Sequence, residues 1–365
     1  MKQAVLITGH YYGSKRKAGF HNIAEALARN GWEILFFTSS ISWLSILRND
    51  YRMTYPVRRE AGKMIDAAEN IKSFVWFTPY HPANLRLSLL NRLSTKLFSN
   101  YGNISLGKAE DFIKNSDMFI FESTPGLFLF EQFKKLNPKA RFVYRVSDDL
   151  RLLRVHPALL SQEKRILPMF DLVSVPSIYL YRLFEGLPNL KLHLHGIRKD
   201  LYNRDYSNPY AGSAVPNLIF VGVSHIDYDF LERASRLCPH CHFHMIGPIT
   251  EIPARDNVTA YGEMPFEETI PYIKYANMGL QMLKYSPGIE CITDSNKIVQ
   301  YTYSKLPIIA PDFLRTKHAH MFYYKPCDDS SIKKAIADGL KFDRSKISVE
   351  EINSWDDLTL KLVSD

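Results

Sequence analysis

The chain has 365 residues, 46% of them hydrophobic and 13% aromatic, with a formal net charge of +8. That length exceeds one ordinary domain, so two are expected, each with enough apolar material for a core. No window reaches the ~18–20 apolar residues of a membrane span, and the four cysteines, Cys238, Cys241, Cys291 and Cys327, are too few for a disulfide framework and fit a reducing compartment.

The charge is uneven. Residues 1–200 carry a net +12 and residues 201–365 a net −4. A basic half calls for an anionic partner: a phospholipid surface, a phosphorylated substrate or nucleic acid. No recognition motif supports nucleic acid.

The opening MKQAVLITGHYYG lacks the length and cleavage site of a signal peptide, so it reads as the first strand of a cytoplasmic protein. Apolar runs then alternate with amphipathic stretches, the pattern of βα repeats. The spacing predicts strands over 4–8, 33–37, 73–77, 118–121, 141–146, 172–175 and 191–195, with helices over 21–29 and 127–136. Residues 196–217, rich in Gly, Pro, Asn and Ser, have a linker composition. A second series follows, with strands over 218–223, 243–246, 258–261, 279–282 and 307–310, and helices over 228–237, 266–275 and 295–304. Asn353-Ser354 then caps an amphipathic helix. The expected architecture is α/β: two doubly wound domains, residues 1–200 and 212–345, and a C-terminal segment 349–365 packing back on the first. Ligands of such sheets bind beyond the carboxyl ends of the strands, and two facing domains would form a cleft.

Several motifs have competing readings. LITGHYYGSK holds T-G-x-x-x-G, as dinucleotide loops do, but Lys15 stands where the third glycine belongs, which favours a plain strand-to-helix loop. CPHCHFHM resembles a metal cluster, yet its four candidates fall within seven residues and read better as a helix end, a turn and a strand. Asp227-Tyr228-Asp229 matches a metal-holding D-x-D, and equally a helix cap. Trp43, Leu47 and Tyr51 lie four apart with Arg48 and Arg52 beside them. Leu85, Leu89, Leu93 and Leu97 repeat the spacing among Arg86, Arg92 and Lys96. Such stretches suit either a membrane interface or a core-packed helix. In VYRVSDDL, two carboxylates stand where an apolar strand stops, at Asp148 and Asp149.

AYGEMPFEETIPYIKYANMGLQML and DSNKIVQYTYSKLPIIAP resemble the nucleotide-sugar half of two-domain glycosyltransferases with the GT-B fold. Together with LITGHYYGSKRKAGFHNIAEALARNGW and MFIFESTPGLFLFEQFKKLNPKARFVYRVSDDL, they make most of the chain similar to glycosyltransferase family 70, the GumK-like inverting β-glucuronosyltransferases. The resemblance implies Asp148 as the general base. It implies Glu263, with Met264 beside it, as a donor-nucleotide contact, and Lys297 and Gln300 as further donor contacts, with Ser295 and Asn296 in the phosphate loop. Two positions depart from the family: Asn296 replaces a methionine, and a family tyrosine aligns with Leu283, with Tyr285 two residues on.

The implied reaction moves a sugar, glucuronic acid first among the choices, from a UDP-sugar to a polyprenyl-diphosphate-linked oligosaccharide in exopolysaccharide synthesis. It would need no cofactor and no metal, at the inner face of the plasma membrane. Lys15, Arg16, Lys17 and Lys284 are compatible with an acidic sugar. Alternatives are another nucleotide-sugar donor, a UDP-sugar epimerase, or a nucleotide-binding scaffold subunit.

Overall fold

The computed structural model describes all residues except Arg16, Ser224, Glu290, Cys291, Ile292 and Lys317. The readings of Arg16 and Cys291 therefore lie outside the described residues. The chain divides into two compact units, one of residues 1–194 with 355–365, the other of residues 195–354. The division falls at Leu194/His195, ahead of the linker-like stretch. The C-terminal helix belongs to the first unit.

The first unit is built on eight strands: β1 (Lys2–Thr8), β2 (Trp32–Ser42), β3 (Met64–Ala68), β4 (Ile71–Thr78), β5 (Met118–Glu122), β6 (Arg141–Arg145), β7 (Leu172–Val175) and β8 (Leu190–Leu192). Their order is β3-β4-β2-β1-β5-β6-β7-β8. Every pair is parallel except β3 with β4. Parallel sheets are covered on both faces, so their strands read as continuous apolar runs. Val5, Phe37, Phe121 and Tyr144 face one core, and Leu6, Phe36, Ile120 and Val143 the other. The second core is completed by helix Gly19–Arg29 and by Trp355, Leu358 and Leu362 of helix Trp355–Ser364. Burying those three side chains is what holds the chain's last segment to this unit, since each is worth ~1.5–3 kcal/mol of transfer energy.

The second unit has six parallel strands: β9 (Asn217–Val221), β10 (His242–Ile246), β11 (Val258–Gly262), β12 (Met278–Leu280), β13 (Ile308–Pro311) and β14 (Met321–Tyr324). Their order is β11-β10-β9-β12-β13-β14. Strands β3 and β14 were not expected. The apolar run read over 191–195 forms a strand only at Leu190–Leu192.

The motif readings resolve through their partners. Asp227 caps helix Tyr228–Leu237, its Oδ1 accepting the Phe230 N–H at 3.0 Å. His242 pairs with Thr259, and His244 with Tyr261 and Asn217, so both rings are engaged across the sheet face. Cys238 and Cys241 are buried in the core.

Candidate active site

In the first unit β1, β5 and β6 are parallel neighbours, so their carboxyl ends lie side by side. The following loops surround a pocket of ≈ 270 Å³ whose wall includes His10, Arg52, Glu122 and Asp148. Glu122 ends β5 and is 6% exposed. Its carboxylate accepts from Thr8 Oγ1, from the Gly9 N–H at 3.2 Å and from Ser147 Oγ at 3.0 Å, and lies 3.4 Å from His10 Nε2. Burial opposes its charge, but His10 and these donors outweigh burial and hold its pKa below the usual value. For His10, burial would depress the imidazole, yet the hydrogen bond and charge of Glu122 raise its pKa net.

Asp148 follows β6 at the pocket wall. Its carboxylate has no hydrogen-bond partner among the described residues, while the loop carrying it is pinned by the Ser147 N–H donating to Ser123 Oγ at 3.0 Å. Asp148 is exposed at the pocket wall. Partial desolvation by the surrounding wall, then the Glu122 charge, push its pKa up, with His10 pulling the other way. A free carboxylate of raised pKa open to a pocket has the chemistry of a general base. Its neighbour is different. Asp149 is 3% exposed. It accepts from the Arg151 N–H at 3.0 Å, Arg151 Nη2 at 2.7 Å and Tyr179 Oη at 2.9 Å. Burial opposes its ionisation, and the Arg151 hydrogen bonds lower its pKa regardless. Of the two carboxylates in VYRVSDDL, Asp149 builds the turn and Asp148 faces the pocket.

In the second unit β9 and β10 are followed by Gly222 and Gly247, and β11 ends at Gly262. Gly247 has φ +140, and a Cβ there would lie 1.9 Å from the Gly222 carbonyl oxygen, so only glycine fits. Lys297 enters this edge from helix Asn296–Tyr303. Its Nζ lies 4.1 Å from the Phe220 ring centroid, and a Cβ on Gly222 would be 3.1 Å from it. Lys297 has no anionic partner among the described residues, and burial brings its pKa down to about 7.

Ser295 precedes that helix without capping it. Its Oγ accepts from Gln281 Nε2 at 3.4 Å and makes no capping bond to the first-turn N–H groups. Gln281 Oε1 is buried without a partner among the described residues. A lysine, a helix start and close-approaching glycines together suit an anion.

The remaining predicted residues are placed as follows. Asn296 is exposed in the first turn, and Gln300 is half-buried one turn beyond Lys297. Glu263 is exposed directly after β11, and Met264 packs on the core. Tyr285 is exposed and lies edge-on to Phe313 at 5.4 Å, whereas Leu283 is buried with Ile289 and Leu314. His10 and Glu122 were missed. Glu122 carries the signal that marked Asp148, a carboxylate closing an apolar run, here MFIFE.

Residues 6–176 match the family model described as the N-terminal domain of the glucuronosyltransferase GumK. Over those residues the chain is similar to GumK. It is 28% identical over 358 residues to the UDP-glucuronate:glycolipid 2-beta-glucuronosyltransferase of Xanthomonas campestris pv. campestris, spanning 97% of this chain and 88% of that protein. The chain also superposes on sucrose-phosphate synthase of Thermosynechococcus elongatus with a TM-score of 0.64 at 15% identity, covering 100% of this chain and 98% of the other. For Anabaena HepE, solved with UDP and glucose, the TM-score is 0.60 at 10% identity over 99% and 95% of the two chains. At those identities the likeness is one of fold, and the fold is GT-B.

Proposed function

We propose that the protein is an inverting glycosyltransferase that moves glucuronic acid from UDP-glucuronate to a hydroxyl of a polyprenyl-diphosphate-linked oligosaccharide. The observation that carries this is Lys297, a half-buried cation with no anionic partner among the described residues, set at a glycine-rimmed sheet edge at a helix start whose N-cap side chain makes no capping hydrogen bond, in a chain similar along its length to a UDP-glucuronate transferase. In this reading Lys297 and the first-turn N–H groups hold the diphosphate and stabilise the charge that grows on UDP as it leaves. This is the part a divalent cation plays in other transferases. Glu263 accepts from the ribose hydroxyls. Asp148 takes the acceptor's proton as its oxygen attacks the anomeric carbon, and a single displacement inverts that centre.

The lipid carrier fits a surface of the first unit. Helix Ser88–Ser99 buries Asn91 and Phe98 and turns its leucines outward. Leu89 is 66% exposed and Leu93 70%, and Leu87 and Leu97 are exposed beside them. Leu85, read with this stripe, is partly buried. Trp43, Leu47 and Tyr51 are also exposed, with Arg48 and Arg92 open to solvent. Apolar side chains among cations at a surface suit an anionic membrane, where each Lys or Arg adds ~1 kcal/mol. No described helix is long and apolar enough to cross one.

Calorimetry against UDP-glucuronate, UDP-glucose, UDP-galacturonate and GDP-sugars, with slow release of nucleotide as a second readout, tests the donor. UDP-glucuronate is expected to bind wild type and not Lys297→Ala. Preference for another donor discards the glucuronosyl assignment, and no nucleotide binding at all sinks the transferase. Co-sedimentation with anionic vesicles should fall sharply in Leu89→Glu/Leu93→Glu. Unchanged sedimentation removes the membrane surface.

A further inference from the structure

Resting on the reading of Asp148 as the base, we propose that Glu122 and His10 form a positioning dyad: Glu122 anchors the imidazole, and the imidazolium's charge keeps the facing Asp148 carboxylate ionised and ready to accept a proton. The geometry is built for a fixed charge. His10 leaves β1 with its N–H donating to Thr8 Oγ1 at 3.1 Å and its carbonyl accepting from Thr38 Oγ1 at 2.8 Å, so its backbone is tied on both sides. Its Nε2 meets Glu122, which the Thr8 hydroxyl, the Gly9 N–H and the Ser147 hydroxyl orient. Ser147 adjoins Asp148 in the chain, so the dyad and the base share one hydrogen-bonded frame.

The groups facing His10 come from every surrounding element. Glu122 lies at the end of β5 and Asp148 after β6. Arg52 lies on the turn Tyr51–Thr54, bound to Asp50 and to the Gly9 carbonyl at 2.6 Å. His21 sits on helix Gly19–Arg29 with ring centroids 5.8 Å apart. His21 is neutral at working pH, because burial drives its pKa down to about 4. The charges around His10 are thus two carboxylates and one guanidinium already paired with Asp50. Without the imidazolium, Asp148 would face the buried Glu122 carboxylate alone, and two like charges sharing a site favour protonating one. A protonated Asp148 cannot act as a base.

The test replaces the charge and follows Asp148. In His10→Gln the acid limb of the kcat/KM profile and the Asp148 carboxyl carbon titration, assigned by NMR with Asp148→Asn, should both move up by about one pH unit. His10→Lys, which keeps a cation, should return both toward wild type. Glu122→Gln should lower the midpoint at which the His10 imidazole titrates. A uniform loss of activity with an unmoved acid limb and carboxyl titration would make His10 merely structural and overturn the dyad. If the variants do not fold, wild type decides: an imidazole midpoint at or below the ordinary ~6.5 overturns it. The titrations need no acceptor substrate, so they separate this inference from the transferase reading, which fails instead if Asp148→Asn keeps full transfer.

Discussion

The two sheet edges solve opposite electrostatic problems. At the first, Glu122 is paired with His10 and Asp50 with Arg52, and only the Asp148 carboxylate lacks a partner among the described residues. At the second, Lys297 has an aromatic ring and glycines around it and no counter-charge among the described residues. A self-balanced cluster holds one group in a set protonation state. An unbalanced cation gains its balance only from a ligand. This contrast is what supports the proposed division of labour, with proton transfer at the first edge and anion binding at the second.

The sharpest break separates Asp148 from Asp149. Asp148→Asn should lower transfer ~10²–10⁴-fold, the usual weight of a general base, and leave UDP affinity and melting temperature near wild type. Asp149→Asn should do the reverse. It weakens the hydrogen bonds from Arg151 and Tyr179, costing ~1–3 kcal/mol in denaturant unfolding, with turnover per folded molecule kept. Turnover lost in a well-folded Asp149→Asn would reverse the assignment.

Next in size is Lys297→Gln. Losing one charge-assisted hydrogen bond to phosphate, worth ~1.5–3 kcal/mol, should weaken UDP binding ~10–150-fold by calorimetry. The apo protein should be no less stable, because the change removes a desolvated ammonium. A large loss of stability would show that Lys297 supports the fold rather than the ligand.

What the sequence made legible follows the same contrast. Apolar runs placed most strands, since a parallel sheet covered on both faces leaves few polar residues to blur them. β3, MIDAA, escaped because it is a mostly exposed edge strand. β14, MFYY, escaped because four residues carry no period. Lys297 was legible only through its context in SNKIVQY, since whether its ammonium finds a counter-charge is a property of packing. His10 stayed hidden because it sits in a glycine-bearing loop that invited a dinucleotide reading, and its partner Glu122 lies over a hundred residues away in sequence. For the leucine stretch, four-residue spacing could not tell a core face from a surface. The face of helix Ser88–Ser99 that packs is set by Asn91, whose Oδ1 accepts the Leu85 N–H at 2.9 Å, and by Ser94, 3.1 Å from His156. Asn91, Ser94 and Phe98 rather than the leucines turn inward.

The smallest effect is a pH dependence, and it carries two signs at once. Burial leaves the Lys297 ammonium with a pKa of about 7, against ~10.5 for a free lysine. A diphosphate beside it restores the charge, so UDP binds the protonated form. Above pH 7 that form is scarce in the free protein, and UDP affinity should fall, approaching tenfold per pH unit. At pH 8, calorimetry in two buffers of different ionisation enthalpy should show close to one proton taken up with UDP, and none in Lys297→Gln. The apo protein should respond the other way. Its unfolded chain binds more protons at this lysine than the folded one between pH 7 and 10.5, so the lysine's contribution to stability rises with pH across that range. Denaturant unfolding of wild type minus Lys297→Gln isolates it. A difference that stays flat with pH, together with no proton uptake on binding, would mean the ammonium is solvated and the second edge is as self-balanced as the first.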